Sequence, residues 1–137
     1  MRELLRSSSD FKVNLEDQKQ CTNMISLWSC YWKGTIAYAA PELLKGEPPT
    51  LKCDIYSLGI TIWQMVYRKS PYEQWNDSET ILYNVVKYDV RPKYEYRKDL
   101  LTKLFEKCWQ RSPSCRPEIM EILDILRGVE CSFEFSC

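Results

Sequence analysis

Apolar residues follow helical periods through most of this sequence, and the exception is its beginning. Residues 1–33 are polar and weakly periodic, with Ser7-Ser8-Ser9 and Asn14-Leu15-Glu16-Asp17-Gln18 reading as loop. The character changes at Gly34. Ala40 to Leu44 fits one helical turn, stopped by Gly46 and by Pro48-Pro49. From Lys52 to Tyr67 apolar residues occupy nearly every face, so this helix is expected inside a core. Its only charged interior residue is Asp54, and a buried carboxylate needs donors or a cation.

Three amphipathic helices are predicted next. Asn76 with Glu79 resembles a capping box ahead of Ile81, Leu82, Val85 and Val86, and Arg91-Pro92 ends that stretch. Leu101, Leu104, Phe105, Cys108 and Trp109 form one stripe at i, i+3, i+4, i+7 and i+8. Pro117 and Glu118 suit a first turn before Ile119, Ile122, Leu123 and Leu126, with Gly128 as the expected stop. No strand and no internal repeat is read. The fold class expected from this pattern is mainly α, built around one central buried helix.

Composition narrows the function classes. The chain has 137 residues, 45% hydrophobic and 28% charged, the proportions of an ordinary globular domain. Lys+Arg and Asp+Glu both number 19, which gives no electrostatic reason to expect nucleic acid or an anionic membrane as partner. No apolar run reaches membrane-spanning length, so a cytoplasmic protein is expected. Histidine is absent, which removes Ser-His and Cys-His nucleophile pairs and zinc sites that use His. The seven cysteines include no C-x-x-C pair and are expected as free thiols.

Gly34-Thr35-Ile36-Ala37-Tyr38-Ala39-Ala40-Pro41-Glu42 matches the G-T-x-x-Y-x-A-P-E end of a protein-kinase activation segment. Asp54-Ile55-Tyr56-Ser57-Leu58-Gly59 is similar to the D-x-x-S-x-G opening of the central helix in the kinase C-lobe. Cys108-Trp109 and Arg116-Pro117 resemble the C-W and R-P elements near the end of that domain. The order and spacing of these motifs resemble the C-terminal part of a protein-kinase C-lobe. Pro41 to Glu47, Ile60 to Met65 and Tyr88 to Pro92 look most like the Mos type of Ser/Thr kinase. The resemblance implies a partial C-lobe over residues 34–128, an activation-segment-like or disordered leader over 1–33, and a tail over 129–137.

The resemblance also implies roles. Gly34 and Thr35 would belong to the substrate-binding loop, with a simple turn threonine as the alternative. Glu42 would pair with Arg116 and tie Ala40-Pro41-Glu42 to the last helices. Asp54 would accept hydrogen bonds from catalytic-loop backbone, or else cap its own helix. Gly59 is part of the same motif. Ser9-Asp10-Phe11-Lys12 resembles D-F-G with lysine in place of glycine, which would make Asp10 a metal-binding carboxylate; the alternative is a chance Asp-Phe. ATP and Mg²⁺ are the implied cofactors, and protein substrates in a mitogen-activated kinase cascade, a MAP kinase kinase among them, the implied partners.

A kinase also needs a Gly-rich loop, a strand lysine and a catalytic-loop Asp and Asn. The sequence contains no G-x-G-x-x-G, no V-A-I-K-like element and no R-D pair. Two functions are therefore expected: a portion of a kinase whose longer product phosphorylates Ser and Thr, or a non-catalytic, pseudokinase-like binding module. Either way the central helix should lack part of its cover. Each large side chain left exposed forfeits about 1.5–3 kcal/mol.

Overall fold

The computed structural model describes the backbone of residues 35–134 and the side chains of residues 35–129. Asp10 and Gly34 lie outside the described residues, as does the leader. A 3-10 turn, Ile36–Tyr38, leads into the short helix α1, Pro41–Leu44. Four longer helices follow: α2, Leu51–Tyr67; α3, Ser78–Tyr88; α4, Leu100–Cys108; and α5, Ile119–Glu134. No strand occurs among the described residues. The mainly α reading of the sequence holds.

Local chemistry sets most boundaries. Pro41 occupies the first turn of α1, where its missing N–H costs nothing. Gly46 ends that helix at φ 87°, a left-handed conformation that suits glycine, and its N–H reaches the Leu43 carbonyl at 2.9 Å. The N-cap of α3 is Asp77 rather than the expected Asn76. Its carboxylate accepts the Thr80 N–H at 2.6 Å, one position further along than the capping-box pattern indicated. Asp99 caps α4 in the same way through the Thr102 N–H at 2.7 Å. At the start of α5, the Ile122 N–H bonds the Glu118 carbonyl, so Pro117 lies just before the helix instead of in its first turn.

Gly128 does not stop α5. The helix runs through it to Glu134, and a Cβ there would meet nothing within 4 Å. A single glycine costs a helix about 1 kcal/mol relative to alanine, too little to end one that already has its hydrogen bonds.

The main core forms where α2 and α4 cross. Tyr56, Ile60 and Trp63 pack with Leu104, Phe105, Cys108 and Trp109, and Ile122 of α5 closes the cluster. Gly59 permits this crossing. A Cβ at that position would lie 2.8 Å from the Cys108 Cβ and 3.2 Å from the Trp109 nitrogen. A second cluster joins Ala39, Leu44 and Tyr72 to Ile81, Leu82 and Val85 of α3.

The central helix is not enclosed on every side. Leu51, Asp54, Thr61 and Met65 are exposed along one stripe, at 83% for Leu51 and 66% for Met65. Leu58 lies half-buried on the same stripe. The described elements pack mainly against the other faces of α2, so the helix lies in a core there and lacks part of its cover on this face, in line with the expectation from the sequence.

Candidate functional site

Arg116 sits just before α5 with its side chain fully buried, and it anchors the site. A guanidinium has five N–H donors and all five are used. Nη1 and Nη2 donate to Glu42 Oε1 at 2.6 Å and Oε2 at 2.9 Å, a bidentate pair. The remaining three reach backbone carbonyls: Gln110 at 2.8 Å, Lys52 at 2.7 Å and Arg111 at 3.2 Å. The guanidinium carbons of Arg116 and Arg91 each lie 5.1 Å from the centre of the buried Tyr56 ring. Such cation–π contacts add to the hold on both side chains.

Glu42 is brought to this point by α1, whose first turn follows the extended backbone of Ala40. Burial pushes its carboxyl upward. The Arg116 hydrogen bonds and charge, with smaller help from backbone and from the Cys53 thiol at 3.3 Å, more than offset this. The carboxyl therefore sits below its ordinary value and Glu42 is an anion. The Cys53 thiol is pushed up, chiefly by its own burial and further by the Glu42 charge.

The sequence motifs do not single out Lys52. Its ammonium donates to the Arg116 carbonyl at 2.8 Å, the Pro117 carbonyl at 3.1 Å and Glu118 Oε1 at 2.6 Å. Its own carbonyl accepts from Arg116 in return. The first turn of α2 and the entry to α5 are thus tied in both directions. The only sequence signal for this was a lysine directly before the Cys53-Asp54 pair.

The segment leading to Glu42 is pinned across α2. The Ser57 hydroxyl donates to the Tyr38 carbonyl at 2.8 Å, and the Tyr38 hydroxyl donates to Gln64 Oε1 at 2.6 Å. Thr35 precedes the 3-10 turn in extended backbone with its side chain exposed. Ala40 and Pro41 are buried.

Asp54 corrects an expectation. It is the fourth residue of α2, the N-cap position belongs to Thr50, and Asp54 is exposed. It is neither a cap nor a buried carboxylate, because it lies on the uncovered stripe. Glu42, Arg116 and Gly59 are thus brought into one connected core, while Thr35 and Asp54 stand at its surface.

Residues 10–125 match the protein kinase domain family. The chain belongs to the protein kinase family. It is 42% identical over 105 residues to the Serine/threonine-protein kinase mos of Xenopus laevis, an alignment covering 72% of this chain and 28% of that protein. To the Serine/threonine-protein kinase mos of Patiria pectinifera it is 43% identical over 95 residues, covering 68% of this chain and 27% of the relative. The Mitogen-activated protein kinase kinase kinase mom-4 of Caenorhabditis elegans is 34% identical over 92 residues, 67% of this chain and 17% of that protein. The chain spans about a quarter of the length of the two mos relatives. Within the kinase family, the Glu42–Arg116 pair joins the A-P-E element to the R-P element across 74 residues of sequence.

Proposed function

We propose that this chain is the substrate-side, C-terminal portion of a Mos-like Ser/Thr kinase, and that phosphoryl transfer is performed by a longer product. The observation that carries the reading is the buried bidentate pair of Glu42 and Arg116, which holds the end of the activation segment against the last helices. Thr35 and Gly34 belong to the loop that receives the acceptor residue. Exposure of Thr35, with Tyr38 pinned three residues on by Ser57, supports this. Asp54 presents a carboxylate on an uncovered face, where backbone N–H groups of an upstream catalytic loop would find an acceptor. The family match begins at Asp10, which supports that residue as the metal-binding carboxylate.

The longer product uses ATP and Mg²⁺ and phosphorylates protein substrates in the cytoplasm. A MAP kinase kinase in a cascade serving oocyte meiosis is the substrate we propose; the place in a kinase cascade is supported by the mom-4 relative, a mitogen-activated protein kinase kinase kinase. Among the described residues, no three acidic, cysteine or histidine side chains are grouped to hold a metal ion. The described residues contain neither the Gly-rich loop nor the strand lysine with which a kinase holds Mg-ATP, and no transfer step is assigned to them. A second reading, for the 137-residue chain by itself, is a non-catalytic module that binds protein partners; it rests on the sequence, which contains no G-x-G-x-x-G, no V-A-I-K-like element and no R-D pair.

The test is transfer of labelled γ-phosphate to a MAP kinase kinase. The longer product should label it, Thr35→Ala should reduce turnover in that product, and Thr35→Ser should restore it. Labelling by the 137-residue chain alone, or none by the longer product, would overturn the proposal.

A further inference from the structure

Two serines in the described residues are followed directly by proline, Ser70-Pro71 and Ser112-Pro113. A kinase that selects its acceptor by the next residue must reach the proline as well as the hydroxyl, and the fold treats these two pairs differently. Ser70 is exposed, but Pro71 is buried, next to the buried Tyr72 with its left-handed φ of 59°. Ser112 is exposed and Pro113 is partly exposed, within a surface run that extends from Gln110 to Cys115. Ser112 has extended backbone, φ −76° and ψ 123°, and among the described residues its hydroxyl is engaged with that of Ser114, at 2.8 Å. Three other hydroxyls are tied to the fold. Thr102 is fully buried, Ser57 holds the Tyr38 carbonyl, and Thr61 bonds back to the Ser57 carbonyl within α2.

We infer that Ser112 is a phosphoacceptor for a proline-directed Ser/Thr kinase, and that folding withholds Ser70 from the same enzyme. In the step, a bond forms between Ser112 Oγ and the γ-phosphorus of ATP. The bond from that phosphorus to the β,γ-bridging oxygen breaks, ADP leaves, and the hydroxyl proton passes to the base of the modifying kinase. The product carries about −1.5 to −2 charges at neutral pH. It stands beside the loop whose Gln110 and Arg111 carbonyls hold Arg116, and so at the rim of the Glu42–Arg116 pair.

The experiment treats the folded chain with Mg-ATP and an active proline-directed kinase, then reads occupancy at each serine by mass spectrometry. Short synthetic peptides carrying each Ser-Pro pair run in parallel. Phosphate should appear at Ser112 in the folded chain, exceeding Ser70 and Ser114 by about tenfold or more, because Ser70 requires local opening. Ser112→Ala should remove it and Pro113→Ala should reduce it, while both peptides should be modified. No phosphate at Ser112 in the folded chain, or equal occupancy at Ser70, would overturn the inference whatever the peptides do.

Discussion

Replacing Arg116 by methionine removes the most heavily bonded side chain among the described residues while keeping much of its length. Five donors disappear at once. Glu42 keeps only the Cys53 thiol and its backbone help, and three carbonyls lose the N–H they accept from. Breaking a buried pair by removing one partner costs about 3–5 kcal/mol, because the other charge remains buried and uncompensated. Domains of this kind have about 5–15 kcal/mol in total. Arg116→Met should therefore leave the chain barely folded. Glu42→Gln should cost less, since an uncharged amide takes the place of the anion and Arg116 keeps its three carbonyls. Urea denaturation followed by the fluorescence of buried Trp63 and Trp109 measures both, and the double variant gives their coupling. The pH dependence supplies a second check with a definite sign. In the native chain the Glu42 carboxyl is held below its ordinary value, so its contribution is complete above the unfolded carboxylate pKa and is lost as pH falls through the folded one. Without Arg116 only burial dominates and the carboxyl rises, so the variant instead loses stability as pH rises out of the carboxylate range. The gap between the two proteins should thus be widest near neutral pH and narrow toward about pH 4. A loss below about 1 kcal/mol for Arg116→Met, or a gap that does not narrow in acid, would refute the reasoning.

Gly59→Ala places a methyl 2.8 Å from the Cys108 Cβ and should cost about 1–3 kcal/mol by overpacking the α2–α4 crossing, read by the same urea titration. Asp77→Ala should lose about 1 kcal/mol with the α3 cap, whereas Asn76→Ala stays within about 0.5 kcal/mol. The exposed stripe on α2 should bind a hydrophobic dye, and Leu51→Ser with Met65→Ser should reduce that signal without lowering stability.

The residues that fixed the family also fixed the core, and the reason is periodicity. The Leu104, Phe105, Cys108 and Trp109 stripe and the dense apolar run of α2 meet as their spacing requires. The pairing of Glu42 with Arg116 was legible only through the resemblance, since nothing local links positions so far apart. The role of Lys52 is not legible in the sequence for the same reason: its acceptors are mostly backbone carbonyls near residue 116, which carry no signature there. Asn76 and Asp77 are both good capping residues, and the choice between them turned on which side chain reaches the Thr80 N–H. Gly128 misled because a glycine ends a helix only when the left-handed turn is needed. The apolar neighbours of Asp54 in sequence suggest burial, yet its position on the helix places it with Leu51 and Met65 on the uncovered stripe.

A thermal melt of the purified chain, with and without millimolar Mg-ATP, tests most directly the claim that this is the substrate-side portion of a kinase and not its nucleotide site. Any ligand that binds the folded state raises the midpoint through mass action, by RT ln(1 + [L]/Kd). The account predicts a midpoint that Mg-ATP leaves unmoved. A midpoint that climbs with nucleotide concentration would contradict it and place a nucleotide site within these 137 residues.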